Sequence, residues 1–518
     1  MPEASRRKPP ASPDRRKLLV AGAYAAVNVA VIGGLGRGGR GTPPPASAGL
    51  RGPDDPGTVP GAPTIPPDDH VYDLVIKGGR VIDPDSGYDR VADVGIDGAT
   101  VVSVTEGSLK GTTMVSAGGK IVAPGFIDIL SYEPYEEGAS FKVHDGVTTN
   151  LGMHGINGHA PDFFNAFTDN CLVNFGGAFD EPWMRYNELG LAVEEEPSAD
   201  QIRQLADMAR AELSQGWIGV DLEPEYAPGT TFEEMLAVAH VAAEFGVPCF
   251  FHGRYSAVGT NAQTLDEIIE IAKQSGAAVH IEHIISTGGT FDMAASLARV
   301  EKARADGHDV SACMYPYNYW ATYIQSTRFS DGWQERFRIS YGDLQVAGTT
   351  ERLTETTFDA LRGGGPDDNK LTAAFAIPEA DDDTCIQAPW VMIGSDAILT
   401  DGNNHPRATG CFARTLGLYA REKGLISWQE ALAKMTILPA RRLEAKAPAL
   451  RKKGRLQRGA DADITIFDPD RVIDRSTVAE PAVASAGIEY VLIAGQVVKS
   501  PDGIDLTKKL GRPITGEL

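Results

Sequence analysis

Cysteine is scarce in this chain: five in 518 residues, Cys171, Cys249, Cys313, Cys385 and Cys411, an odd number with no C-x-x-C pairing. That excludes a disulfide framework. Three of the five sit in apolar, strand-like runs, where cysteine acts as a small buried hydrophobe, and none is assigned chemistry. Positive charge is short as well, 48 Lys and Arg against 70 Asp and Glu for a net of −22, which excludes a binder that works by neutralising nucleic-acid phosphates. No apolar run after residue 48 is long enough to span a bilayer, and no internal repeat is visible. What remains is an ordinary globular composition, 42% apolar and 23% charged, long enough for several domains or for one α/β barrel with additions.

The N-terminus departs from the acidic average. Residues 1–48 hold eight Lys and Arg against Glu3 and Asp14. Arg15-Arg16-Lys17-Leu18-Leu19 leads into a weakly apolar stretch and then Ala46-Ser47-Ala48, an A-x-A cleavage pattern. The segment resembles a twin-arginine export signal, with Asp14 where Ser or Thr is usual, and implies a periplasmic, cell-surface or secreted protein. Residues 49–71, rich in Pro and Gly, read as a linker.

From Tyr72 onward, short β-rich runs separated by Gly-Gly, Pro-Asp and Asp-Gly turns predict a small antiparallel sheet over 72–122. Matching runs return over 448–500, so both ends are expected to build one β-sandwich, followed by a tail, 501–518. Residues 123–447 alternate apolar strands with helical stretches. The eight expected strands lie near Ile121–Ile129, Val147–Met153, Leu172–Phe179, Val220–Glu225, Val247–His252, Ala278–His283, Val310–Tyr315 and Trp390–Asp396. Eight βα units predict a (β/α)8 TIM barrel. Thr231-x-x-Glu234, Thr264-x-x-Glu267 and Ser427-x-x-Glu430 read as capping boxes at helix starts. The stretch from Tyr317 to Asp383 exceeds a barrel connection and is either a lid over the site or a passive insertion.

Three expected strands end in residues that bind or serve a metal: His252 and Arg254, His283, and Asp396. Barrel active sites are built at such ends. Imidazole nitrogen suits Zn²⁺, which lowers the pKa of a bound water, and Asp396 suits the proton transfers between that water and a leaving nitrogen. By strand alternation His280 points towards the helices.

A resemblance then becomes specific. Tyr72-Asp73-Leu74-Val75-Ile76-Lys77-Gly78-Gly79-Arg80-Val81-Ile82-Asp83, Val122-Ala123-Pro124-Gly125-Phe126-Ile127-Asp128 and Gly454-Arg455-Leu456-x-x-Gly459-Ala460-Asp461-Ala462-Asp463 resemble the amidohydrolase superfamily. Gly146-Val147-Thr148-Thr149, Glu225-Tyr226-Ala227-Pro228-Gly229, His252-x-Arg254, Tyr315-Pro316-Tyr317, Gly394-Ser395-Asp396 and His405-Pro406-Arg407 are similar to its N-acyl-D-amino-acid deacylase branch. The resemblance implies a zinc barrel acting on a small substrate that carries a carboxylate. Asp396 would be its general acid/base and Arg407 the holder of that carboxylate, with Arg254, Tyr315 and Tyr317 as further substrate contacts.

The departures are as informative. The His-x-His pair usual after Gly-Phe-Ile-Asp is replaced by Ile129-Leu130-Ser131-Tyr132, and the branch's usual cysteine after the second strand by Gly152-Met153-His154-Gly155. The lysine that often follows the second strand-end His gives way to Ile284-Ile285. These changes lead to one Zn²⁺ per chain held by His154, His252 and His283, with water or Asp396 completing a tetrahedral shell. Glu225 is a further candidate, as ligand or as support for one, and His159 is the substitute should His154 not reach. Two rival readings stay open: hydrolysis of a cyclic amide, as in hydantoinase-like or dihydroorotase-like relatives, and a ligand-binding protein that has lost catalysis on the same scaffold.

Overall fold

The computed structural model describes residues 55–254 and 259–517. The leader expected over 1–48 lies outside them, and no described helix is long and apolar enough to cross a membrane.

Eight parallel strands form the barrel. They are Phe126–Asp128, Val147–Gly152, Asn174–Gly177 continued by Phe179–Asp180, Val220–Leu222, Cys249–Phe251, Val279–Ile281, Val310–Met314 and Val391–Ile393. The third strand splits at Ala178, its first half pairing with the second strand and its second half with the fourth. The first and eighth strands meet through Asp396 N, which donates to Leu130 O at 2.7 Å, and Ser395 N, which donates to Asp128 Oδ1 at 2.9 Å. Seven lie within the stretches expected from sequence, and the third runs one residue beyond its stretch, to Asp180. They are short and buried on both faces, which is why apolar runs rather than alternation mark them.

The boxes at Thr231 and Ser427 form as expected. Thr264 is a correction. Helix Asn261–Ser275 starts a turn earlier because buried Asn261 donates from Nδ2 to Thr290 O at 2.8 Å, and this leaves Thr264 inside the helix.

Both termini contribute to one nine-stranded sheet. It is mixed rather than antiparallel. Strand Val71–Asp83 pairs in parallel with Lys110–Ser116 along its first half and with Ile121–Pro124 along its second, shifting at a bulge where Gly78 takes φ 64°. Ile121–Pro124 then pairs antiparallel with Ile464–Phe467 and joins the two ends over a core that includes Ile76, Val81, Val94, Ile466 and Leu492.

Neither flanking segment hangs free where it is described. Val59 is buried, and its N–H donates to Arg458 O at 2.9 Å. In the last residues, Phe175 N donates to Arg512 O at 3.1 Å, Ile514 N to Phe175 O at 2.6 Å and Gly516 N to Gly216 O at 3.0 Å. The tail thereby wedges between the third strand and the approach to the fourth at the N-terminal end of the barrel, with Ile514 fully buried against the interior cluster of Met153, Ile218 and Phe250. The segment between the seventh and eighth strands carries its own antiparallel sheet of Trp320–Tyr323, Leu371–Ala374 and Leu344–Val346.

Candidate metal centre

The C-terminal strand ends converge on three imidazoles. His154 follows the second strand, His252 the fifth and His283 the sixth, and each is at most 5% exposed. Ring centroids lie 5.8 Å apart for His154 and His252, 4.8 Å for His252 and His283, and 6.1 Å for His154 and His283. Carboxylates close the space between them. His154 Nδ1 is 2.9 Å from Glu282 Oε2, 3.4 Å from Glu223 Oε1 and 3.7 Å from Asp221 Oδ1. His154, His252 and Glu282 form one group, and His154, Asp221 and Glu223 another, with ligand atoms in each within 4.8 Å of one another.

Hydrogen bonding decides which nitrogen each ring offers. His252 Nε2 is 2.7 Å from Glu225 Oε2, which directs that N–H to the carboxylate and leaves Nδ1 as a lone pair. His283 is turned the other way, with Nδ1 at 3.1 Å from Thr287 Oγ1 and 3.2 Å from Ser286 Oγ. Its Nε2 faces Asp396 Oδ2 at 3.6 Å and Glu282 Oε2 at 3.8 Å.

The residues fit a divalent cation. His154 Nδ1, His252 Nδ1, Asp221 Oδ1 and both oxygens of Glu282 are buried and make no aligned hydrogen bond. Buried polar atoms are otherwise almost always paired, and a convergent set of nitrogen and carboxylate donors suits zinc or a similar metal. The electrostatics agree. Burial, with neighbouring carboxylates, pushes Asp221 and Glu282 up to about 7 and Glu223 up to about 8. Burial opposes a charge on His154, but Glu223 and Glu282 outweigh it and raise that imidazole well above its usual range. Acids crowded this closely call for a cation among them.

Asp396 stands on the far side of this cluster. Burial works against its charge, yet Arg407, His283 and His154 hold its carboxyl below the usual range. Arg407 Nη2 donates to Asp396 Oδ2 at 2.7 Å and Nε to Asp396 O at 3.1 Å, while Nη1 is buried without a partner. Tyr132 OH donates to Asp396 Oδ1 at 3.2 Å. Both Asp396 and His283 are non-glycine residues at positive φ, 48° and 25°, a strained conformation that clusters at functional sites. Above them opens a cavity of about 1340 Å³, with His154, His252, Asp396 and Arg407 on its floor and residues 321–323, 366–367 and 369–371 of the inserted segment along one wall.

Several expected residues take other places. Arg254 is occupied by Glu267 at 3.2 Å and by the carbonyls of Pro228 and Thr230, and does not line the cavity. Tyr317 OH donates to Asp474 Oδ2 at 3.2 Å, behind the site. Tyr315 lies beneath Arg407, its ring centre 4.2 Å from the guanidinium carbon, and so supports that residue rather than facing the cavity. His159 is partly exposed, 2.7 Å from Glu212, and is no ligand. Glu225 orients His252. His280 bonds Ser311 Oγ at 2.8 Å among the buried structural groups.

Glu282 and Asp221 were not anticipated. Alternation puts Glu282 opposite His283, but the strand stops at Ile281 and the positive φ of His283 turns the chain so that both side chains reach the site. Asp221 lies within the fourth strand, Val220–Leu222, where a buried acid in an apolar run is itself the signal in the sequence.

A profile of the amidohydrolase family matches residues 230–499. N-acyl-D-glutamate deacylase of Alcaligenes xylosoxydans xylosoxydans is 33% identical over 470 residues, which cover 82% of this chain and 93% of that enzyme. The chain belongs to the amidohydrolase family. D-aminoacylase of the same organism is 28% identical over 475 residues, covering 83% of this amidohydrolase and 95% of the relative. The crystal structure of N-acyl-D-glutamate deacylase from Bordetella bronchiseptica, complexed with zinc and a phosphonate mimic of the tetrahedral intermediate, matches with a TM-score of 0.71. Identity there is 27%, over 86% of this chain and 100% of that one.

Proposed function

We propose that this amidohydrolase removes the acyl group from an N-acyl-D-amino acid or a related D-configured compound, using one zinc ion per chain. The observation that carries this reading is the convergence of unpaired donor atoms on His154, His252 and Glu282, with His283 Nε2 beside them, opposite the Asp396–Arg407 pair. Those residues would supply the ligands, and a zinc ion held by three of them with one position left open would supply Lewis acidity and a water of lowered pKa.

The chain does the rest. Asp396 takes the proton of the attacking water on a carboxylate oxygen and delivers it to the leaving amide nitrogen. Arg407 keeps Asp396 ionised in the resting site and offers its unpaired Nη1 to the substrate carboxylate, a group its planar fork matches. The relatives named as N-acyl-D-amino-acid deacylases support the substrate class. Residues 1–48 would carry the enzyme out of the cytoplasm, which fractionating cells that express the chain with and without them tests.

The decisive experiment measures zinc per chain in protein purified without residues 1–48. It then follows amine release from N-acetyl-D- and N-acetyl-L-amino acids beside hydantoin and dihydroorotate. About one zinc and D-selective deacylation support the reading. Hydrolysis of the cyclic amides alone would replace it, and the absence of bound metal would favour a non-catalytic binding protein.

A further inference from the structure

The segment inserted between the seventh and eighth strands sends one side chain down to the supports of two ligand imidazoles. Arg328 comes from the short 3-10 turn Thr327–Phe329 and is 3% exposed. Its Nη1 donates to Glu225 Oε2 at 2.8 Å, and that same oxygen is 2.7 Å from His252 Nε2. Its Nη2 donates to Ser286 O at 2.9 Å, and the Ser286 hydroxyl lies 3.2 Å from His283 Nδ1. The guanidinium carbon sits 4.3 Å from the ring centre of Trp320 and 5.2 Å from that of Phe337, both within the insertion. Thr327 adds a bond from Oγ1 to Glu225 O at 2.7 Å.

A buried arginine that only anchored the insertion could use any carbonyl on the barrel rim. Arg328 instead reaches two separate barrel loops, and on each it contacts a residue that hydrogen-bonds a ligand histidine, Glu225 through its carboxylate and Ser286 through its carbonyl, the bond to His283 Nδ1 being shared between the hydroxyls of Ser286 and Thr287. Such outer partners fix which ring nitrogen faces the metal and the angle of the ring. A lysine, with one compact ammonium, has no fork to span the two acceptors.

We propose that Arg328 is a positioning residue that completes the metal site from the insertion, orienting His252 through Glu225 and bracing His283 through Ser286. The proposal rests on the metal-centre reading above. It makes metal affinity depend on how the insertion is seated, so the segment serves the metal as well as forming a wall of the cavity.

The test titrates zinc against a chromogenic chelator with the chain lacking residues 1–48. The variants are Arg328→Met, Arg328→Lys, Glu225→Gln and the Arg328→Met/Glu225→Gln double. Gln325→Ala is the control. Gln325 ties the insertion together internally, donating from Nε2 to Leu361 O at 2.9 Å, and its side chain has no bond to the histidine supports. Arg328→Met should weaken zinc binding about 10- to 100-fold. Arg328→Lys should recover part of that loss, the double variant should be little worse than the weaker single, and Gln325→Ala should stay within about twofold of wild type even if it unfolds more easily. Wild-type affinity in Arg328→Met overturns the proposal and leaves the metal centre standing. An equal loss in Gln325→Ala overturns it in favour of general destabilisation. If Arg328→Met does not fold, Arg328→Lys decides, and full affinity there is a refutation. A wild-type chain that binds no zinc overturns the metal centre and this proposal together.

Discussion

Lys142 offers the sharpest test of what holds Asp396 in its strained place. It is 1% exposed, and its ammonium is spent on three acceptors: Asp128 Oδ2 at 2.7 Å, Ser395 Oγ at 2.6 Å and Ala397 O at 2.7 Å. Asp128, fully buried, in turn accepts from Ser395 N at 2.9 Å and Ser395 Oγ at 2.6 Å. The network therefore grips the residues on both sides of Asp396 from the first strand and its following helix. Lys142→Met removes the cation and leaves Asp128 charged in the interior, which should cost about 3–5 kcal/mol. Removing the anion too, in Lys142→Met/Asp128→Asn, takes away the uncompensated charge and should return about half of that loss, because the amide oxygen still accepts from Ser395 N while its NH2 can donate to the Ser395 hydroxyl that Lys142 no longer reaches. Urea unfolding followed by tryptophan fluorescence reads both values, and turnover at saturating substrate should fall in the single variant as Asp396 loses its anchor. A loss below about 1 kcal/mol for Lys142→Met would refute the reasoning, and so would a double variant no more stable than the single.

Asp396→Asn should lower turnover by about 10²–10⁴-fold, the usual share of a general acid/base, and leave zinc bound; metal analysis beside kinetics separates the two. Ile514→Ala should cost about 2–5 kcal/mol in the same unfolding assay, since it empties a fully buried position at the foot of the barrel. His144 supplies a pH test away from the metal. Burial, with Lys499 adding to it, lowers that imidazole to about 4 in the folded chain, against 6.5 when unfolded. Between those values the unfolded chain binds the proton, so the stability His144 contributes is complete above about 6.5 and is lost as pH falls towards 4. His144→Gln should flatten that part of the stability profile relative to wild type, and an unchanged slope would contradict the assignment.

The barrel was legible because its strands are buried on both faces and broken by capped helices, a pattern that survives without any knowledge of contacts. The terminal sheet was legible as strands but not as pairings. The parallel partners of Val71–Asp83 depend on a bulge at Gly78 that moves the register between Lys110–Ser116 and Ile121–Pro124. The last residues read as a tail because Gly511, Pro513 and Gly516 have no strand signature, yet the backbone there fills a split between the third and fourth strands that no local pattern announces.

At the site, His252, His283 and Asp396 are readable as strand ends and His154 through the resemblance, whereas Glu282 and Arg328 are not, and each omission has a physical cause. Alternation holds only while a strand lasts. Glu282 comes into the site because the sixth strand has already ended and His283 takes a left-handed turn. Arg328 lies in an insertion whose docking is a matter of tertiary packing, with Trp320 and Phe337 fixing its guanidinium. The absent first-strand His-x-His pair is the more instructive case. Read alone it removes two ligands, but Tyr132 now donates to Asp396, and Asp221, Glu223 and Glu282 bring acidic donors from the fourth and sixth strands to His154. With Asp221, Glu223 and Glu282 around His154, the charge that an ion here must balance is set by carboxylates as well as imidazoles. Replacing Tyr132 by histidine would then remove the hydroxyl that donates to Asp396 and add an imidazole beside a site whose acids already surround His154.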